Sequence, residues 1–422
     1  MRVHCAPAGI KTKRSDLRYV LYEHSTDPAV GSIGPSIISS VRKFGLAPSA
    51  RAWDFLSIAL SVIGADEGCT RATSPDGWTR EIELTVSVAD PKFWTSQTDL
   101  LAAALCFLTG DIWYLTFVAD GLSPTPPKHA EPRQEDAVCL LSGGMDSLIG
   151  ALDLRAAGKS LLFVSQVAKG DKKTQSFLAQ AVGGNHGHLQ LNHLVHPPGP
   201  SERSQRARSL IFLGFGVLAA TSLQTYTGGA PADLYMPENG FISINVALTP
   251  LRLGSLSTRT THPYFIGLIQ QLLGNAGINV RIVNPYQFKT KGEMLVGCQN
   301  QAFLKKHIGI TTSCGRYARS GFMHCGRCVP CLVRRSAFHR WGTDPTAAYK
   351  FDDLSKPDHR HRDFDDVRSV GMAIEMVRKR GFDRWAGGAI NAAQLGDTAP
   401  YRAVVQRGLK EMSTYLKAVG AL

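Results

Sequence analysis

No stretch of this chain stays apolar long enough to cross a bilayer as a helix, which takes about 20 residues. Its first residues, MRVHCAPAGIKTKRSD, hold no apolar signal core. The expectation is a cytoplasmic protein with no membrane partner. Acidic side chains are in short supply: 34 Asp and Glu face 47 Lys and Arg, a net charge of +13. Such an excess suits an anionic partner without separating a nucleotide from a nucleic acid. Disulfides are not expected in a reducing compartment, so the nine cysteines read as thiols or metal ligands. Internal repeats are absent, which excludes a solenoid or propeller. Charge is sparse at 19% against 44% hydrophobic residues, which excludes a disordered chain. At 422 residues the chain exceeds one ordinary domain.

What is present falls into blocks. Residues 1–122 read as an N-terminal α+β domain. AWDFLSIALSVIGA has helical spacing, with Trp53, Leu56, Ile58, Leu60 and Ile63 among its apolar positions. REIELTVSV alternates strictly, as a half-buried strand does. TDLLAAALCFLTG reads as a helix with a glycine stop, and IWYLTFVAD as another strand. Cys5, Cys69 and Cys106 are too scattered for a metal site, and Asp54 and Asp90 read as surface or capping groups. Residues 123–136, rich in proline and charge, read as a linker. Beyond it, AVCLLS and SLLFVSQVA are short apolar runs around the helical SLIGALDLRAAG, a parallel strand–helix–strand unit. SLIFLGFGVLAATSLQT and YFIGLIQQLLGNAG read as helices, DLYMPEN and INVRIVNPY as strands, and residues 137–345 as the core. DDVRSVGMAIEMVRKRG and RAVVQRGLKEMSTYLKAVGA are amphipathic and make residues 346–422 a helical tail.

Two motifs carry chemistry. In LSGGMDS, Gly143 and Gly144 sit where a buried strand meets a helix. They open backbone angles closed to other residues and leave room for a ligand against the main chain. The amides at a helix start favour anions. Ser142 and Ser147 add hydroxyls, and Asp146 can cap the helix, fix the loop or help hold Mg²⁺. No Gly-Lys-Ser/Thr follows, so this is not a Walker A loop, and the third glycine of a dinucleotide fingerprint is missing. The plain alternative is a tight turn with an Asp cap. The second motif joins Cys314 to Cys325, Cys328 and Cys331, four thiols whose spacing can close a tetrahedral shell on Zn²⁺. A redox pair, an iron–sulfur site and four unrelated cysteines are the competing readings.

LSGGMDS resembles the PP-loop of the N-type ATP pyrophosphatases, which include asparagine synthetases, NAD synthetases and tRNA thiolases. PP-loop and cysteine cluster together resemble the 7-cyano-7-deazaguanine synthase family, over roughly residues 136 to 345. QRARSLIFL is similar to that family's Ala-Arg-Asn segment, with Ser209 in place of Asn, and NPYQFKTKGEML to its Lys-x-Glu segment, with Lys291 and Glu293 matching. The first 130 residues, the tail and PENGFISINVALTPLRLGSLSTRTTHP lie outside the standard synthase. This longer form is similar to the homologue found in bacterial antiphage operons of the Qat type.

The resemblance implies an α/β fold with a parallel doubly wound, adenine nucleotide alpha hydrolase-like core and a C-terminal zinc knuckle. It implies ATP held by Leu140, Leu141, Ser142, Gly143, Gly144, Met145, Asp146 and Ser147, with adenine near Phe163, Val164 and Ser165. Asp146, Arg208 and Lys291 become the catalytic candidates. Glu238, Asn239, Arg259, Thr260 and His262, in polar loops, become candidates for substrate contact or for a structural role. The implied reaction is adenylation of a 7-deazaguanine carboxylate, then amide and nitrile formation. One alternative joins the deazaguanine to an amine of a partner protein encoded in the same operon. A second is a nucleic-acid modifying or binding protein, for which residues 301–350, with nine Lys or Arg and one acid, offer a basic stretch. His186, His188, His193 and His196 are a weaker metal candidate that a loop leading into a strand explains as well.

Overall fold

The computed structural model describes residues 1–10, 17–128, 130–167, 170–183, 187–202, 204, 206–252, 259–346, 348–356, 366–390 and 395–422. His186 lies outside them. The described residues form an α/β protein with two largely parallel sheets. The first sheet runs β5 (Ile112–Val118), β4 (Glu81–Ser87), β1 (Arg2–Pro7), β2 (Leu17–Leu21), β3 (Gly31–Ile33) and β9 (Val195–His196). The second runs β11 (Val280–Val283), β10 (Ala232–Tyr235), β6 (Ala137–Leu140), β7 (Leu161–Gln166) and β8 (His188–Leu191). All neighbours are parallel except β3 and β9.

The α+β expectation for residues 1–122 is therefore corrected. Helix Ala50–Gly68 separates β3 from β4, and helices Pro91–Ser96 and Thr98–Thr109 separate β4 from β5. Connections of that length return the chain in the same direction, which gives parallel pairing. Within β4 the alternation is as read: Ile82, Leu84 and Val86 are buried, while Glu81 and Glu83 are exposed. Asp90 caps helix Pro91–Ser96, whereas Asp54 is buried rather than on the surface. It accepts from the amides of Ala89 and Asp90 and from the Trp94 indole.

The two sheets meet through a pair of helices. Helix Ala50–Gly68 packs on the first sheet, helix Arg208–Ala220 on the second, and the two helices pack on each other. Their approach is close because Gly214 has no side chain: a Cβ there would lie 3.1 Å from Leu56 Cδ1. β6 explains why AVCL reads as unbroken apolar sequence. Val138 and Leu140 face the core shared with these helices. Ala137 and Cys139 face a second core, with Leu148 and Ile149 of helix Met145–Ala156 and Leu178 of helix Lys172–Gly183. A third core gathers helices Asp366–Arg380, Phe382–Ile390 and Ala399–Ala418 against Leu332 and Val333 of helix Val329–Trp341. Among the described residues no helix is long and apolar enough to cross a membrane.

A buried charge network fastens the first sheet to the segment ahead of Arg208. Arg80, 2% exposed, binds Asp66 at 2.5 Å and Asp111 at 2.6 Å. Arg71 reaches Asp111 at 2.8 Å and Glu202 at 3.2 Å. Removing one partner of a buried pair strands the other charge. Arg80→Ala is therefore expected to cost about 3–5 kcal/mol of stability. Urea unfolding checks this, and an unchanged midpoint would contradict it.

Candidate functional site

β6 ends at Leu140, and helix Met145–Ala156 begins five residues later. Between them Gly143 adopts φ +85°, a left-handed angle that other residues avoid. The serines pin the loop to itself. Ser142 Oγ accepts from the Gly144 amide at 3.2 Å and meets Ser147 Oγ at 3.1 Å, while Ser147 Oγ donates to the Gly144 carbonyl at 3.0 Å. Gly144 is the N-cap residue, and no side chain caps this helix. Asp146 is thus not a cap. The first-turn amides remain as donors at the positive end of the helix dipole.

Asp146 is 5% exposed and turned away from its own helix start. Its Oδ1 is ion-paired with Lys291 Nζ. Its Oδ2 accepts from the Asn239 amide at 3.1 Å and from Asn239 Nδ2 at 2.7 Å. Burial opposes ionisation at Asp146, yet the Lys291 ammonium, with hydrogen bonds from Glu238 and Asn239, brings its carboxyl down to about 2. Glu238 moves the other way: burial first, and the Asp146 charge second, push it well above the ordinary carboxyl range. Glu238 and Asn239 follow β10, and Asn284 clamps them. It accepts from the Glu238 amide at 3.2 Å and donates to the Glu238 carbonyl at 2.9 Å.

Lys291, 7% exposed, opens helix Lys291–Gly297 behind a Thr290 and Glu293 capping box. Glu293 thus has a structural task, and it also accepts from Arg407 at 2.7 Å. Glu411, from helix Ala399–Ala418, accepts from Thr290 Oγ1 and pairs with Arg340. The tail therefore braces the helix that carries Lys291.

Arg208 approaches the loop from the β7 side. Its Nε donates to Gln166 Oε1 at 3.2 Å, and burial pushes its pKa below the usual arginine value. Gln175 Nε2 bridges the Gln166 carbonyl at 3.1 Å and the Ser142 carbonyl at 3.2 Å. Leu140, Leu141, Met145, Phe163 and Val164 are buried in the cores beneath. Their backbone, not their side chains, borders the loop: the Leu141 amide donates to the Val164 carbonyl at 2.8 Å. Ser165 Oγ donates to the Leu141 carbonyl at 2.5 Å and meets His188 Nε2 at 2.8 Å.

The remaining candidates lie elsewhere. Arg259 donates to the Phe107 carbonyl at 3.2 Å and stacks over the Phe107 ring. His262 caps helix Pro263–Asn275, with its ring 4.9 Å from that of Phe107. Thr260, beside Arg259, is partly exposed. Ser243 Oγ donates to the Thr261 carbonyl at 2.5 Å, and Arg252 pairs with Asp366. His188 and His193 bond separately to Ser165 and Gln166, and the His196 ring lies 6.1 Å from that of His24. The basic stretch 301–350 is not one open face, since Arg327, Arg334 and Arg335 are buried. Gln166, Gln175 and Asn284 were invisible in the sequence, where lone amides carry no spacing signal.

Cys314, Cys325, Cys328 and Cys331 are brought together, with sulfurs all within 4.8 Å of one another. The Cys314–Cys328 and Cys325–Cys331 pairs stand 3.9 Å apart. A zinc shell with bonds near 2.3 Å has sulfur–sulfur edges of about 3.8 Å, so the set fits zinc. Amides of Arg316 and Cys325 donate to Cys314, and that of Cys328 to Cys325, each at 3.3 Å, which favours thiolates. Gly326 makes the turn at φ +84°, where a Cβ would strike the Phe351 carbonyl at 2.4 Å. Compared with protein-family models and with curated proteins, the chain matches none.

Metal analysis of the purified protein is expected to give one zinc per chain, and Cys328→Ser to lower the melting temperature sharply, because metal binding is coupled to folding. A metal-free protein that melts unchanged would contradict this. Glu238 yields a pH test. Its folded pKa lies above the ordinary 4.5, so its contribution to stability is complete below that value and fades as pH rises. Glu238→Gln cannot ionise. Its stability relative to wild type is expected to climb as pH rises above about 4.5. Parallel denaturation curves would exclude the shift.

Proposed function

We propose that the chain binds ATP at the end of β6 and transfers AMP to the carboxylate of a 7-deazaguanine, releasing pyrophosphate. One observation carries this reading: a carboxylate in the first turn of the helix after β6 is tied to the residues that follow β10. Counted along the core, β8-β7-β6-β10-β11 is the order 3-2-1-4-5, which reverses between β6 and β10. In doubly wound sheets the ligand crevice lies at that reversal, outside the carboxyl ends of the strands. The doubly wound description belongs to this reading.

The uncapped first turn after Gly144 suits the β and γ phosphates. Lys291 from the β10 side and Arg208 from the β7 side supply positive charge for the α-phosphate as the bond to the β-phosphate lengthens. A carboxylate oxygen of the acceptor attacks the α-phosphorus, and pyrophosphate leaves with the electron pair of the broken bond. Ammonia then attacks the acyl carbon, AMP departs, and the attacking nitrogen loses a proton. A second activation, of the amide oxygen, gives the nitrile. Asp146 is engaged by Lys291 and Asn239, so in this scheme the phosphates would hold the magnesium. Zinc at the four cysteines closes its own shell and acts as structure.

A second reading keeps the adenylation and uses an amine of a partner protein as nucleophile. The first sheet favours it. Glu81 and Glu83 of β4 pair with Ile112 and Tyr114 of β5, and all four are exposed. Parallel sheets are ordinarily covered on both faces.

Incubation with ATP, 7-carboxy-7-deazaguanine and either ammonia or a protein encoded beside this one, followed by mass spectrometry, separates the two readings. AMP and pyrophosphate are expected as co-products. Lys291→Ala is expected to lower kcat about 100- to 1,000-fold, the usual effect of losing one transition-state donor. ADP and phosphate as products would overturn the reading.

A further inference from the structure

The fold places the metal knuckle against the glycine loop, and one buried arginine makes the connection. Arg334 lies on helix Val329–Trp341, three residues after Cys331 and so on the same helix face. It is 0% exposed. Among the described residues its hydrogen-bond acceptors are all neutral: the Ile308 carbonyl at 3.1 Å, the Thr311 carbonyl at 3.2 Å, Thr311 Oγ1 at 2.8 Å, Ser313 Oγ at 3.3 Å and Thr346 Oγ1 at 3.4 Å. Burial opposes its charge and the nearby Asp344 carboxylate offsets only part of that, whereas an apolar side chain would fill the space without the cost. What the guanidinium adds is geometry, because its planar fork fixes several acceptors at once.

The segment it fixes ends at the metal and touches the loop. The Thr312 amide donates to the Gly143 carbonyl at 3.0 Å, and Cys314 follows two residues later. A Cβ on Gly144 would lie 3.2 Å from the Thr312 carbonyl. The far side of the knuckle reaches the loop after β7. There Gly170, at φ +95°, leaves room for the Phe322 ring, whose Cε1 a Cβ would meet at 2.8 Å. The knuckle thus contacts the segments that follow both β6 and β7.

We infer that Arg334 is a positioning residue that transmits metal binding at the four cysteines to the backbone of residues 143–147. If that backbone holds phosphate, as the proposed function has it, metal and phosphate stabilise each other by the same factor, since coupling between sites is reciprocal.

Hydrogen exchange of the metal-loaded protein tests this without any enzymatic assay. In Arg334→Ala, with one metal per chain retained, amides 143–147 are expected to exchange at least about tenfold faster, a coupling of ordinary size. Ser336→Ala, an equally buried change on the same helix that removes only a bond to the Leu332 carbonyl, is the control and is expected to leave them unchanged. If Arg334→Ala does not fold, Thr312→Pro deletes the amide that reaches Gly143, and Thr311 already has the extended backbone a following proline needs. Unchanged loop exchange in the folded variant, or an equal response in Ser336→Ala, would overturn the inference. Inorganic pyrophosphate serves as the second probe. It is expected to slow zinc extraction by a chelator in wild type but not in Arg334→Ala. A loop that responds to Arg334→Ala without any pyrophosphate effect supports the positioning role and counts against the phosphate site.

Discussion

The carboxylate of Asp146 is the point on which the candidate site turns. It is buried, and it joins three parts of the chain that are far apart in sequence: the loop after β6, Asn239 after β10, and Lys291 at a helix start. A buried carboxylate without those partners would take up a proton, and the loop would lose its tie to β10. With them it stays ionised, while Glu238 beside it is driven toward the neutral form. The two neighbouring acids are thus pushed in opposite directions within one small volume.

The supports of that site reach across the whole chain. Helix Ala399–Ala418 braces Lys291 through Thr290 and Glu411. The cysteine knuckle braces Gly143 through Thr312. The first sheet and its charge network hold the segment that leads to Arg208, with Glu202 on Arg71 and the Ala207 amide on Asp66. The parts outside the core are therefore not appendages in a mechanical sense. Each holds a segment that leads to the loop or to one of its partners.

Much of this was legible in the sequence where periodicity or spacing carried it. The strands AVCL and LLFVSQ, the helix after the glycines and the four cysteines fall where their patterns put them. Lys291 and Asn239 were named as candidates, but nothing in the sequence joined them to Asp146, since a contact between positions 146 and 291 leaves no local trace. β1, β2 and β3 were missed. The parallel pairing of β4 with β5 across an intervening helix, elements that were read, makes the expected α+β unit an α/β one. Helix Phe382–Ile390 was missed because two glycines interrupt its pattern. Arg259 and His262 sit in a polar loop, as read, but pack on Phe107 of helix Thr98–Thr109.

The claim that AMP passes to a carboxylate leaves an atomic record. In the proposed attack the acceptor oxygen stays on phosphorus when AMP departs. With 7-carboxy-7-deazaguanine labelled with ¹⁸O in its carboxylate, mass spectrometry of a turnover with ATP and ammonia is predicted to find one ¹⁸O in the AMP and none in the pyrophosphate. Unlabelled AMP, or label in orthophosphate, would contradict the account.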